Sequence, residues 1–177
     1  MEWDERLFAF LDDLEGQAEA LYDAERETDL ADRSRAAYAE VTLAGRLMAS
    51  VGHDVVLDVL GVGPVAGALR RVGPDWCLAR GASQDWVVRL AAIVSVEGAS
   101  SRSVPEIAWP PTSRLGLSSA LRRLADAGER CVVHGIDGCA REVVVHRVGQ
   151  DFVEVVGGHG RALLLARDTI AAVQSRG

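Results

Sequence analysis

The chain has no lysine and no asparagine, so all 19 of its Lys-plus-Arg positions are arginine. Without lysine there can be no phosphate-loop lysine, no Schiff base to pyridoxal phosphate and no lysine general base, and the enzyme classes that need them are excluded. A chain that avoids both residues while favouring Ala, Arg, Gly and Val points to a high-GC genome. Cysteine is scarce as well. Cys77, Cys131 and Cys139 are too few and too unevenly placed for a disulfide framework, which agrees with a reducing compartment. No apolar run approaches the roughly 18 residues of a membrane span, and the opening MEWDERLF is acidic where a secretion signal would be basic. The expected location is the cytoplasm.

What is present suffices for a buried core, with 49% hydrophobic and 25% charged residues in 177. Charge is unevenly spread. Residues 1–32 hold twelve acids against Arg6 and Arg26, a net charge of −10, so the remainder carries +3 of a total of −7. Trp3, Leu7, Phe10, Leu14, Leu21 and Ala24 recur in steps of three and four, with Gln17 in the one polar gap, which predicts an acidic amphipathic helix over 1–40 with coiled-coil spacing. Its apolar stripe, Trp3, Leu7, Phe10 and Leu14 above all, faces the protein's own body, a second copy or a different protein.

Beyond that helix the chain repeats itself. RRVGPDW (Arg70–Trp76) and HRVGQDF (His146–Phe152) lie 76 residues apart, and the same offset aligns Gly52 with Gly128, Val56 with Val132, Leu69 with Val145 and Gly81 with Gly157. After one inserted residue Ile93 and Val96 meet Ile170 and Val173. Agreement of this extent reads as two copies of one supersecondary unit. Each copy opens with a short helix (42–50; 118–127) and continues in four or five short β-rich runs, with Asp137-Gly138 supplying positive φ at a tight hairpin turn. Residues 41–98 and 117–177 are the two units. Between them 99–116, with three of the five prolines, predicts an extended linker.

Val65-Ala66-Gly67-Ala68-Leu69, with Val72 and Asp75, is similar to the glycine-bearing bent second strand and following turn of the Sm-like family, which includes the RNA chaperone Hfq. VVRLAAIVSV (Val87–Val96) and ARDTIAAV (Ala166–Val173) resemble its closing strands. The Tyr-Lys-His signature of the Hfq branch is absent, and Arg89-Leu90 or Arg167-Asp168 stands in its place. The whole chain also resembles actinobacterial proteins without an established activity. The resemblance implies two tandem Sm-like small β-barrels after the helix, a mainly β fold with some α, and either nucleic-acid binding or ring-like association of subunits.

Several patterns suggest sharper chemistry. Cys131, His134, Cys139 and His146 are zinc-ligand types, but the odd spacing of Cys131 and His134 sends them to opposite faces of a strand. Gly61, Gly63 and Gly67 lack the following helix of a phosphate loop, and the serines of GLSSA (Gly116–Ala120) suit a helix cap better than a nucleophile elbow. Asp151 with His146 or His159 suits a turn. No catalytic, cofactor-binding or metal-ligating residue is therefore assigned. Arg70, Arg71, Arg122, Arg123 and Arg147, with Trp76 and Phe152 nearby for stacking, are the candidate nucleic-acid contacts. The expectation is a non-enzymatic interaction or regulatory module that binds a protein partner or itself through the N-terminal helix; the alternative is a nucleic-acid-associated regulator using the arginines.

Overall fold

The computed structural model describes residues 29–158 and 160–176, together with 16, 17, 22 and 26. Its contacts divide the chain into Met1–Val41 and Thr42–Gly177. In the first unit residues 29–39 are helical (α1), with exposed side chains and an Arg35–Asp32 ion pair of 2.6 Å one turn apart.

The second unit begins with Thr42, whose Oγ1 accepts the Gly45 amide at 3.0 Å and so caps helix α2, Leu43–Met48. Five strands follow: β1 (Asp54–Val59), β2 (Gly63–Val72), β3 (Trp76–Arg80), β4 (Asp85–Arg89) and β5 (Ile93–Glu97). Helix α3 (Leu117–Ala127) then leads into β6 (Arg130–Gly135), β7 (Ala140–Val148), β8 (Phe152–Gly157), β9 (Ala162–Ala166) and β10 (Ile170–Ser175). The period-two pattern explains the strands. In β1 Val55, Leu57 and Val59 are buried, and in β6 the counterparts Cys131, Val133 and Gly135 are. Burying each such valine or leucine contributes about 1.5–3 kcal/mol.

The two halves match in irregularities as well as in strands. The β2–β3 ladder shifts register between Leu69 and Arg71, and β7–β8 shifts between Val145 and Arg147. A single 3-10 turn precedes the last strand of each half, at Leu90–Ala92 and Arg167–Thr169. The repeated RVGxD followed by an aromatic residue also has one local geometry. The amide of Gly73 donates to the carbonyl of Trp76 at 2.8 Å, and that of Gly149 to Phe152 at 2.9 Å, while a Cβ on either glycine would overlap the aromatic ring.

Two closed barrels do not form. All ten strands make one antiparallel sheet in the order β5-β1-β2-β3-β4-β10-β6-β7-β8-β9. In a closed five-stranded unit β4 would return to its own β5; here it pairs with β10 of the other half, through Val88↔Ala172, Val87↔Val173 and Trp86↔Gln174. The reason is visible in the cores. Ala171 and Ala172 of β10 belong to the cluster built from Leu47, Leu57, Leu69 and Val88, whereas Trp76 of β3 belongs to the one built from Leu117, Leu121, Val145 and Val155. Each half thus completes the other's core, and the sheet stays open at β5 and β9.

Residues 99–116 are more than an extended connection. They contain 3-10 turns at Glu106–Ala108 and Pro111–Arg114 and a buried Trp109, whose Nε1 donates to the Val104 carbonyl at 2.9 Å. The Val104 amide in turn bonds the Gly45 carbonyl of α2 at 3.0 Å. Among the described residues no helix is long and apolar enough to cross a membrane.

Candidate interaction surfaces

Arg70, Arg71, Arg122, Arg123 and Arg147 are all exposed, and none forms an ion pair among the described residues. They do not gather into one patch. Arg70 and Arg71 flank the β2 bulge and Arg147 lies at the equivalent bulge of β7, five places away in the sheet order. At about 4.8 Å per strand that is some 24 Å of sheet. Arg122 and Arg123 are on the exposed side of α3, which packs on β7 through its buried Leu117 and Leu121. Trp76 is unsuited to base stacking, being 7% exposed with its Nε1 bonded to the Leu115 carbonyl at 2.8 Å, while Phe152 at 37% exposure keeps a free edge. Trp3, Leu7, Phe10 and Leu14 lie outside the described residues.

The other sequence candidates have structural partners. Cys131 is buried in the second core, and burial pushes its thiol up to about 11, while that of Cys77 rises to about 12. His134 is on the opposite face, its Nε2 2.9 Å from Gln174 Oε1 and its ring centroid 5.2 Å from that of Trp86. Cys139 is exposed, with its amide bonded at 3.0 Å to Asp137, whose carboxyl is held low chiefly by that bond. Positive φ at this turn belongs to Gly138 alone, so Asp137 acts as a side-chain acceptor and not as the left-handed residue the sequence suggested. Among the described residues no group of three or more His, Cys, Asp or Glu is placed to hold a metal. The serines of GLSSA do not cap α3. Gly116 stands at the N-cap, and Asp75, from the repeated turn of the first half, accepts the Leu117 amide at 2.7 Å.

The features that sequence reasoning missed are the two sheet edges. β9 reads ALLLA, with Leu163 and Leu164 exposed by 44% and 61% and no charge or proline to blunt it. β5 carries Val94, 65% exposed, and ends in Glu97. Shallow clefts flank both. The one beside β9 is lined by Arg141, Glu142, Arg161 and Leu163 among others, and the one beside β5 includes Asp54 and Glu97. Glu142 is already paired with Arg130 and Arg176, which leaves the β9 side locally basic and the β5 side acidic. The uncharged ALLLA was the available signal, but only the strand order makes it an edge. Comparison with protein-family models and with curated proteins finds no match to this chain.

Proposed function

We propose that this chain is a non-enzymatic, cytoplasmic interaction module that works through protein–protein contacts at its open sheet edges. The observation that carries the reading is the exposed ALLLA edge of β9, whose unpaired backbone groups and leucines form a template for another strand. Three free cysteines, one of them exposed, support the reducing compartment. The test recovers the tagged full chain from native lysate with and without nuclease, beside Leu164→Asp. A protein held in stoichiometric amount after nuclease, and lost by Leu164→Asp, is the expected result; retention of that protein by the variant overturns the edge assignment.

The five exposed arginines, without an ion pair among the described residues, favour a second reading, a nucleic-acid-associated regulator. Because they are dispersed, each local contact would neutralise few phosphates, and the salt slope of binding should be shallow, about −2 to −4. Replacing Arg122 and Arg123 by Gln should lower its magnitude by up to about two. Recovered material that is lost entirely on nuclease treatment would favour this reading over the first.

A further inference from the structure

The first half is filled at a place where the second is open. Leu57, Val65 and Val88 are buried in one cluster with Ala171 and Ala172 of β10. By the repeat their counterparts are Val133, Arg141 and Leu165, and these line a cleft of about 370 Å³ together with Ile136 and Ile170. That volume is in the range of roughly 300–1,000 Å³ found at small-molecule sites. An arginine in place of a buried valine changes what the cleft can hold. Arg141 stands opposite Val133 in the β6–β7 ladder and in the alternating row of Val143 and Val145, so it leaves the strand on the core face, half-buried. It forms no ion pair among the described residues. Its charge reaches Asp137 at the rim, whose carboxyl is held low chiefly by its bonds to Cys139 and in smaller part by Arg141.

The same arginine also lines the shallow cleft beside β9, where Arg161 joins it. The Arg161 carbonyl accepts the Gly157 amide at 3.2 Å, and Gly157 pairs with Val143, so both arginines belong to the core face of the sheet. β8 lies between their strands, and a Cβ on its Gly157 would meet nothing within 4 Å, which leaves the space between the two arginines open. Glu142, the carboxylate on this cleft, is already paired with Arg130 and Arg176. We propose that the joined clefts bind an amphiphile with one negative charge, a carboxylate on a medium-length alkyl chain. The chain lies over Val133, Leu165 and Ile170, and burial of its methylenes drives binding. The head meets Arg141 and Arg161, whose planar guanidinium groups fit a carboxylate through paired hydrogen bonds. Two arginines against Asp137 leave +2 − 1 = +1 at the mouth, which matches a monoanion and disfavours a dianionic phosphate. This goes beyond the interaction reading, because it uses the core face of β9 and leaves its backbone edge free.

The experiment titrates the full chain with acetate, butanoate, hexanoate and octanoate by calorimetry, and locates the binding by amide NMR. Affinity should rise about fourfold per added methylene while the chain stays in the cleft. Shifts should gather at Val133, Leu165 and Ile170 and spare Leu57, their counterpart in the filled first half. Arg141→Gln, and Arg141→Val, which supplies the residue of the first half, should each weaken octanoate about tenfold or more. Arg161→Gln, at an exposed position, should weaken it about threefold. Circular dichroism shows that each variant is folded. Octyl phosphate should bind more weakly than octanoate, and octylamine should not bind. Acetate held as tightly as octanoate reduces the site to a surface anion contact and overturns the proposal. Octylamine held as tightly as octanoate leaves only apolar adhesion and overturns it too, as does the absence of saturable binding or tighter binding of octyl phosphate. None of these results bears on a protein partner recovered from lysate, so the interaction reading fails or stands separately, by the effect of Leu164→Asp on that partner.

Discussion

Gly73 and Gly149 occupy the same place in the repeat, yet a methyl group should be felt differently at each. At Gly73 it would meet the indole of Trp76, which is packed in the second core and tethered to the Leu115 carbonyl, and the same carbonyl lies 2.8 Å away. At Gly149 it would meet only the Phe152 ring, which has room to swing outward. Gly73→Ala should therefore cost about 2–3 kcal/mol in urea unfolding and Gly149→Ala less than about 1 kcal/mol. Equal losses would show that the two turns are not asymmetric in this way. The cysteines make a second residue-scale prediction. With burial raising Cys77 to about 12 and Cys131 to about 11 from an ordinary 9.0, neither forms appreciable thiolate at pH 8, whereas Cys139 is exposed. A thiol reagent should modify one cysteine rapidly in the native chain and the other two only on unfolding. Because the folded state holds those two protons more tightly, their contribution to stability is complete below pH 9 and declines as the pH rises towards 11 and 12. The repeated glycine was visible in the sequence, but its reason, an aromatic ring folded back over the backbone three residues earlier, was not.

Among the elements, strands were the most legible. VVLDV and CVVHG alternate as half-buried strands must, and the structure uses that alternation. Helix α3 was legible as an apolar stripe and its start was misread, because a window around Ser118 and Ser119 cannot see an acceptor 42 residues away. Asp75 fills that role, so Asp75→Ala should cost about 1 kcal/mol, and Asp75→Asn, which keeps the acceptor, should recover most of it. Asp151, its counterpart, caps no α-helix; its backbone carbonyl accepts the amide of Arg167, the first residue of the 3-10 turn, at 2.8 Å, a bond that a side-chain change leaves in place. Asp151→Ala should stay within about 0.5 kcal/mol. A loss at Asp151 equal to that at Asp75 in chemical denaturation would refute the remote cap. The connection 99–116 was misread for a related reason. Its prolines exclude regular helix and strand, but they do not exclude the short 3-10 turns that bring Trp109 inside.

At the scale of the whole molecule, two repeats of five strands suggested two closed units, and local patterns could not have corrected this. β4 has the same strand-like sequence whether it returns to its own β5 or crosses to β10, and the choice depends on side chains more than 80 residues away. The crossing has a thermodynamic consequence. Ala171 and Ala172, carried by the second half, fill the first core, and Trp76, carried by the first half, fills the second. Arg89 Nε bonds the Ile170 carbonyl at 2.7 Å, and the Asp85 amide bonds Ser175 Oγ at 2.8 Å, across the same seam. Opening either half therefore exposes part of the other's core and strands buried backbone groups at the joint, so residues 42–177 should unfold as one cooperative unit. Amide hydrogen exchange offers a test at named positions. Leu57 in β1 and Val155 in β8 are fully buried in different cores, and their amides should exchange with the same opening free energy. Ala172→Asp should lower both together by about 3 kcal/mol or more, since it places an unpaired carboxylate in the first core on a strand of the second half. If Ala172→Asp loosens one of the two amides and leaves the other at its wild-type value, the halves are separable and the continuous sheet does not govern stability.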